Sequence, residues 1–331
     1  MATPKQRIDP KKAPTPRSKN ARSGRPGRPP SAAPLRKATG RDWISGARLR
    51  TVPLAIAPVA LGTAAAYVLG HESDGPGWHW VRALLCLVVA VSLQIGVNFA
   101  NDYADGVRGT DRHRVGPLRL TGSGLAAPRQ VLIVAFAFFA IAAAAGLVIV
   151  IRTGNYWLLA VGAACIVAAY FYTGGTKPYG YYGLGEVFVF AFFGIVATAG
   201  TTFVLADTVT IESWLGGIAA GLSASAVLMV NNIRDREQDK GAGKRTMAVL
   251  IGNRASRIVF AVLLTAPFGI LAFFVLFYEN AYLVYFALLA AVPAIVITLT
   301  ARTAPELVLA LRLASLTALV YGVGLALAIA F

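Results

Sequence analysis

Long apolar runs recur from one end of this chain to the other, and no other feature limits its fold as much. Each run is about 18 residues or longer, enough for a helix to cross a hydrocarbon layer of about 30 Å. A chain buried in lipid must satisfy its backbone polar groups internally, so runs of this length cross as helices. Nine spans are expected, at residues 53–70, 81–101, 130–151, 156–173, 184–205, 213–231, 257–278, 281–301 and 306–330. Composition agrees: 14% of residues are charged, against roughly a quarter in a soluble domain. The predicted fold class is an all-α integral membrane protein, a bundle of two related four-helix units plus a ninth helix.

The connecting loops predict an orientation. Placing the N-terminus inside puts Arg108, Arg112, Arg114, Arg119, Arg129, Lys177, Arg234, Arg236, Lys240, Lys244, Arg245, Arg254 and Arg302 in inside loops, and leaves Arg152 in the outside ones. Basic residues favour the cytoplasmic side in this way. Residues 1–41 carry twelve Lys/Arg and one acid, Asp9. Rich also in Pro, Ser and Gly, this segment cannot bury enough apolar surface to fold, and it lacks the apolar core of a signal peptide. It is read as a disordered basic cytoplasmic tail on a membrane domain of residues 42–331; binding to anionic lipid or nucleic acid is the alternative. Cys86 and Cys165 lie far apart inside apolar runs and read as core residues.

Two polar motifs interrupt this pattern, both on the inside face. The first runs Val97-Asn98-Phe99-Ala100-Asn101-Asp102-Tyr103-Ala104-Asp105-Gly106 and continues to Asp111. The second runs Val230-Asn231-Asn232-Ile233-Arg234-Asp235-Arg236-Glu237-Gln238-Asp239-Lys240-Gly241. Both begin Val-Asn and place an Asp four residues after that Asn; the starts are 133 residues apart, with four spans from one to the next. This is the mark of an internal repeat.

Asn98, Asn101, Asp102 and Asp105 share one helix face, and Asn231, Asp235 and Asp239 another. Carboxylates one turn apart repel, and near a bilayer they are poorly solvated. Two such clusters call for a compensating cation. Mg²⁺ fits, because it prefers oxygen ligands and bridges carboxylates to substrate phosphates. The candidate metal ligands are Asp102, Asp105, Asp111, Asp235 and Asp239. Acids capping helix ends, or marking the ion path of a cation-coupled transporter, are the competing readings.

Cations flank the acids. Lys244 and Arg245, in Lys240-Gly241-Ala242-Gly243-Lys244-Arg245-Thr246, can neutralise phosphate oxygens. Arg119, before Leu120-Thr121-Gly122-Ser123-Gly124, has the same look. Lys177, in Tyr172-Thr173-Gly174-Gly175-Thr176-Lys177-Pro178, sits on the same membrane face and is a candidate catalytic residue, with Tyr172 a candidate for orienting substrate.

Asn101-Asp102-x-x-Asp105 with a later Asp111, and Asp235-x-x-x-Asp239 followed by Lys-x-x-Gly-Lys-Arg-Thr, resemble the UbiA-type intramembrane prenyltransferase superfamily over residues 42–331. Four stretches are most similar to the branch acting on 1,4-dihydroxy-2-naphthoate in menaquinone synthesis: Gly46-Ala47-Arg48-Leu49-Arg50-Thr51-Val52-Pro53, Asn101 to Asp111, Arg119 to Pro128, and Tyr172 to Gly175. Asp111 stands six residues after Asp105, where the superfamily commonly spaces four, and Lys177 stands five after Tyr172, where many relatives show fewer. The resemblance implies Mg²⁺, a polyprenyl diphosphate donor and an aromatic acceptor. It implies a diphosphate held by metal on Asp102, Asp105, Asp235 and Asp239, assisted by Lys244, Arg245 and Lys177, and loss of the acceptor carboxylate as CO₂. Arg48 and Arg50 stand before the first span, as contacts to that carboxylate or as an inside anchor. Acceptors such as 4-hydroxybenzoate or homogentisate are the alternative within the superfamily.

Overall fold

The computed structural model describes residues 36–72, 80–110 and 119–331. Asp111, Arg112 and Arg114 and nearly all of the basic tail therefore lie outside the described residues. Of the tail, residues 36–41 are described: Arg36 pairs with Asp42 at 2.6 Å, and the Ala38 amide donates to the Leu125 carbonyl.

The described residues form helices and turns, with no strand among them. A short α1 (Gly40–Ala47) lies before α2 (Pro53–Glu72), and α3 (Trp80–Arg108) and α4 (Pro128–Thr153) follow. Next come α5 (Leu158–Phe171) and a continuous span built from α6 (Gly185–Val189), a π-helical stretch Phe190–Val196 and α7 (Ala197–Ala206). The last four are α8 (Ile211–Gly241), α9 (Met247–Phe277), α10 (Leu288–Thr300, preceded by the 3-10 stretch Glu279–Ala287) and α11 (Ala304–Ala330).

Local chemistry sets the ends of these helices. Pro53 and Pro128 open α2 and α4, where a missing N–H costs nothing. Gly154 closes α4 in the left-handed region at φ 71°, as C-terminal glycines do. The Thr210 hydroxyl accepts from the Ser213 amide and starts α8, satisfying one of the first-turn donors.

Among the described residues, eight helices are long and apolar enough to cross a membrane, and the ninth expected span is the shorter α5. At 14 residues α5 rises only about 21 Å. The chain is a multi-pass all-α membrane protein. The motif helices outrun their expected ends: α3 continues to Arg108 and α8 to Gly241, so both Asp clusters stand on unbroken helix. Helix α9 begins ten residues early because a helical turn at Met247 joins it across a break at Gly252, where φ is 82°.

Small residues let the bundle close near its centre. A Cβ on Gly194, in the π-helical stretch, would stand 2.4 Å from the Gly217 carbonyl oxygen on α8, so only glycine permits that approach. The principal core lies among α8, α9 and α11, with Phe260, Leu264, Leu271, Phe274 and Leu325 fully buried. A second cluster joins α3 to α4 through Phe99, Val131, Ala135 and Phe139. Between these cores the helices enclose a cavity.

Candidate active site

The cavity has a volume of about 530 Å³ and draws on α2, α3, α4, α5, α6, α7 and α8. Most of its wall is apolar, from residues such as Val89, Leu93, Leu147, Ile166, Phe188 and Phe192. Its polar groups come from the ends of α3 and α8 and the loops beside them: Asn98, Asn101 and Asp105, then Asn231, Asn232, Asp235 and Asp239, with Arg48, Arg50, Arg119 and Lys244.

The cavity-facing groups repeat with a register one residue off the expected one. Asn98, Asn101 and Asp105 on α3 correspond in spacing to Asn232, Asp235 and Asp239 on α8, each pair 134 residues apart. In that register Asp102 corresponds to Arg236, and neither lines the cavity.

Asp102 has other partners. Buried to 2% exposure, its Oδ2 accepts the Leu120 amide at 2.9 Å and its Oδ1 the Thr121 amide at 2.9 Å. The loop after residue 118 thus docks on α3, helped by Gly106, where a Cβ would stand 2.4 Å from the Thr121 methyl. Docking brings Arg119 into the cavity, its Nη1 3.2 Å from Asp105 Oδ2. Asp102, expected as a metal ligand, thus turns its carboxylate to the loop amides and does not line the cavity. Adjacent helix positions differ by about 100°, and Asn101 takes the inward one.

Asp105 takes partners from three other segments. Beyond Arg119, its Oδ1 accepts the Tyr181 hydroxyl at 2.7 Å, and Lys244 Nζ stands 3.8 Å from Oδ2. The same ammonium is 3.6 Å from Asp239 Oδ1. Two cations stand over the Tyr181 ring, Arg108 5.1 Å and Lys244 4.9 Å from its centroid. Burial lowers the Lys244 pKa, but the Asp105 and Asp239 carboxylates outweigh it and hold the ammonium above the usual lysine range. Burial first, and Asp105 next, push the Tyr181 phenol up, so it stays a proton donor to Asp105.

The remaining polar groups are fixed by neighbours. Asn101 Oδ1 accepts the Thr173 hydroxyl at 2.5 Å. Asn98 donates to the Ala47 carbonyl at 3.0 Å. Asp235 is gripped from its own helix, by Arg234 Nε and Nη2, both at 2.7 Å. Asn232 donates to the buried Glu186 at 2.9 Å.

The structure brings Asn98, Asn101, Asp105, Asp235, Asp239, Arg48, Arg119, Tyr172 and Lys244 to one cavity. Besides Asp102, two expected residues among those described are not there. Lys177 is exposed on its turn, because Arg108 takes the carbonyls of Thr173 and Gly175 and the left-handed Gly175 bends the chain. Arg245 is also exposed, and it is its backbone amide that donates, to the Tyr181 carbonyl at 2.9 Å. Tyr181, Asn232 and Glu186 escaped the sequence reading; the only signal for Tyr181 was an aromatic in the loop that carries Lys177.

The donor set suits a hard divalent ion: three carboxylates and several amide oxygens, all oxygen. Among the described residues no three acids converge closely enough to hold a metal alone.

The sequence profile of the UbiA prenyltransferase family matches residues 56–315. The chain is 50% identical, over 235 residues, to a Mycobacterium tuberculosis protein named 1,4-dihydroxy-2-naphthoate octaprenyltransferase, covering 70% of this chain and 77% of that one. An Escherichia coli protein of the same name is 37% identical over 241 residues, covering 71% and 76%. Two solved structures share the fold. The apo structure of a UbiA homolog from Aeropyrum pernix K1 superposes with a TM-score of 0.59 at 18% identity, covering 78% of this chain and 94% of that one. A UbiA homolog from Archaeoglobus fulgidus bound to DMAPP and Mg²⁺ gives 0.56 at 17% identity, covering 85% and 99%. With the profile spanning most of the chain and both Asp motifs facing one intramembrane cavity, the chain belongs to the UbiA prenyltransferase family.

Proposed function

We propose that this protein transfers a polyprenyl group from a polyprenyl diphosphate to 1,4-dihydroxy-2-naphthoate, releasing diphosphate and CO₂ and giving demethylmenaquinol. One observation carries the reaction class: a single cavity has three carboxylates and four cations at its polar end and an apolar body beyond them. A prenyl diphosphate has the same two parts. The acceptor rests on the names of relatives at 37–50% identity.

Asp105, Asp235 and Asp239, with Asn101, are the residues that would hold Mg²⁺. When bound, the ion offsets the charge that gathers on the departing diphosphate. Lys244 and Arg119 bind diphosphate oxygens as donors already aimed into the cavity. Tyr172, Tyr179, Phe188 and Phe192 line the wall; their ring faces stabilise an allylic cation, and the apolar body keeps water from it. Arg48 and Arg50 hold the acceptor carboxylate. The ring carbon bearing that carboxylate bonds to C1 of the donor as the C1–O bond breaks. The carboxylate then leaves as CO₂, and its bonding pair returns to the ring.

The proposal includes an orientation: cell membrane, N-terminus and site loops cytoplasmic, with residues 1–41 as a basic tail on the membrane domain of 42–331. The basic loops support it. The test is product analysis by mass spectrometry with purified protein, a long polyprenyl diphosphate, Mg²⁺ and a panel of acceptors. A decarboxylated prenyl naphthol formed only with Mg²⁺ is expected. A product with 4-hydroxybenzoate or homogentisate and none with the naphthoate would overturn the acceptor.

A further inference from the structure

Among the described residues, one side chain ties the acids of the two motif helices together. Lys244 Nζ reaches Asp105 on α3 and Asp239 on α8, at 3.8 and 3.6 Å. Arg119 meets Asp105, and Arg234 is engaged by Asp235 on its own helix. The turn after α8 builds this reach. Gly243 is left-handed at φ 75°, and the Lys244 amide donates back to the Asp239 carbonyl at 2.8 Å. The side chain therefore folds over the helix end, with the Tyr181 ring beside the ammonium.

A divalent ion held by Asp105 and Asp239 would compete with Lys244 for those two carboxylates. The charge balance sharpens that competition. Asp105, Asp235 and Asp239 line the cavity with Arg48, Arg50, Arg119 and Lys244, so among the described residues the lining carries one more positive charge than negative. A divalent ion entering alone must displace an ammonium into a site already positive. A diphosphate entering with it gives Lys244 a new anionic partner and reverses the balance. Lysine suits such a transfer, being a point charge on a flexible stem.

We propose that Lys244 is a resident counter-ion of the Asp105–Asp239 pair, exchanged onto the diphosphate when metal enters, so that divalent ion and diphosphate bind together and the ion alone binds weakly. The inference rests on the reading of this cavity as a metal–diphosphate site. It makes Lys244 the residue that couples the two ligands, beyond a contact to one of them.

The test measures Mn²⁺ bound to the full chain in lipid nanodiscs by equilibrium dialysis. Free Mn²⁺ is matched, with and without inorganic diphosphate. For the wild type, diphosphate should tighten Mn²⁺ binding at least tenfold. Lys244→Met should bind Mn²⁺ alone at least tenfold more tightly than the wild type, and most of the enhancement should vanish; Lys244→Arg should keep it. Equal binding of Mn²⁺ alone by wild type and Lys244→Met, with diphosphate still enhancing both, would overturn the inference and leave the site reading intact. No Mn²⁺ bound by any of them, with or without diphosphate, would overturn both. Should Lys244→Met fail to fold, the wild type still decides. Linkage is reciprocal, so Mn²⁺ must raise its diphosphate affinity by the same tenfold or more, and no change would overturn the inference.

Discussion

The two motif helices present the same three cavity positions but secure them differently. On α3, Asn101 is held by a neutral hydroxyl from Thr173, and Asp105 by groups from three other segments, Arg119, Tyr181 and Lys244. On α8, Asp235 is held by Arg234 next to it in the chain, and Asp239 by Lys244 from the turn that ends the helix. Asp105 thus draws partners from distant loops, while Asp235 and Asp239 have partners close to them in the chain; Asn232 on α8, held by Glu186 of α6, is the exception. An internal repeat can keep its spacing while its halves diverge in what supports the conserved geometry, so damage to loops should fall mainly on the α3 half.

Four predictions bear on that difference. The largest effect belongs to Asp105→Asn, which loosens Arg119, Lys244 and Tyr181 at once. The kcat/KM for prenyl transfer should fall by about 100-fold or more, and further than in Asp239→Asn. The reverse order would deny that Asp105 is the hub.

Stability should divide the halves in the opposite sense. Asp235→Ala leaves the buried Arg234 guanidinium without its carboxylate and should cost about 3 kcal/mol. Asn101→Ala, losing a neutral partner, should cost about 1 kcal/mol. Thermal melts of the two variants in the same detergent compare them, and equal Tm values would erase the distinction.

Tyr181→Phe keeps the ring beside Arg108 and Lys244 and removes the hydroxyl that donates to Asp105. A loss of about tenfold in kcat/KM is expected from misplacing that acid. Tyr181→Leu, which also removes the ring, should lose more, and an unaffected Tyr181→Phe would make the hydroxyl contact incidental.

The smallest and most pointed contrast sets Asp102 against Arg236, its counterpart in the 134-residue register. Asp102→Asn weakens the docking of the Arg119 loop and should raise the donor KM about tenfold with a smaller change in kcat. Arg236, paired with the exposed Glu237, should tolerate alanine within about twofold. Complete inactivation of Asp102→Asn with an unchanged donor KM would restore it to the reacting centre.

Much of this was legible in the sequence because it depends on periodicity. Apolar runs gave the order of spans, and four-residue spacing put Asp235 and Asp239, and Asn101 and Asp105, on shared faces. Periodicity could not choose between Asn101 and Asp102. Both belong to one broad polar face, and only the docked loop shows which turns inward. Nor could it place Lys177 and Arg245 against Tyr181 and Lys244. Those side chains sit in turns whose course is set by Arg108 on distant carbonyls and by left-handed Gly175 and Gly243, contacts that no local pattern encodes. The short α5 and the break at Gly252 are likewise set by turn residues within otherwise apolar stretches.

The central claim is that Asp105 and Asp239, from two halves of a repeat, act on one ligand. A double-mutant cycle on kcat/KM with Asp105→Asn, Asp239→Asn and the double variant tests it directly. Residues acting as a unit are strongly non-additive. The account predicts a double variant little worse than the poorer single one. Losses that multiply would mean two independent sites and would contradict it.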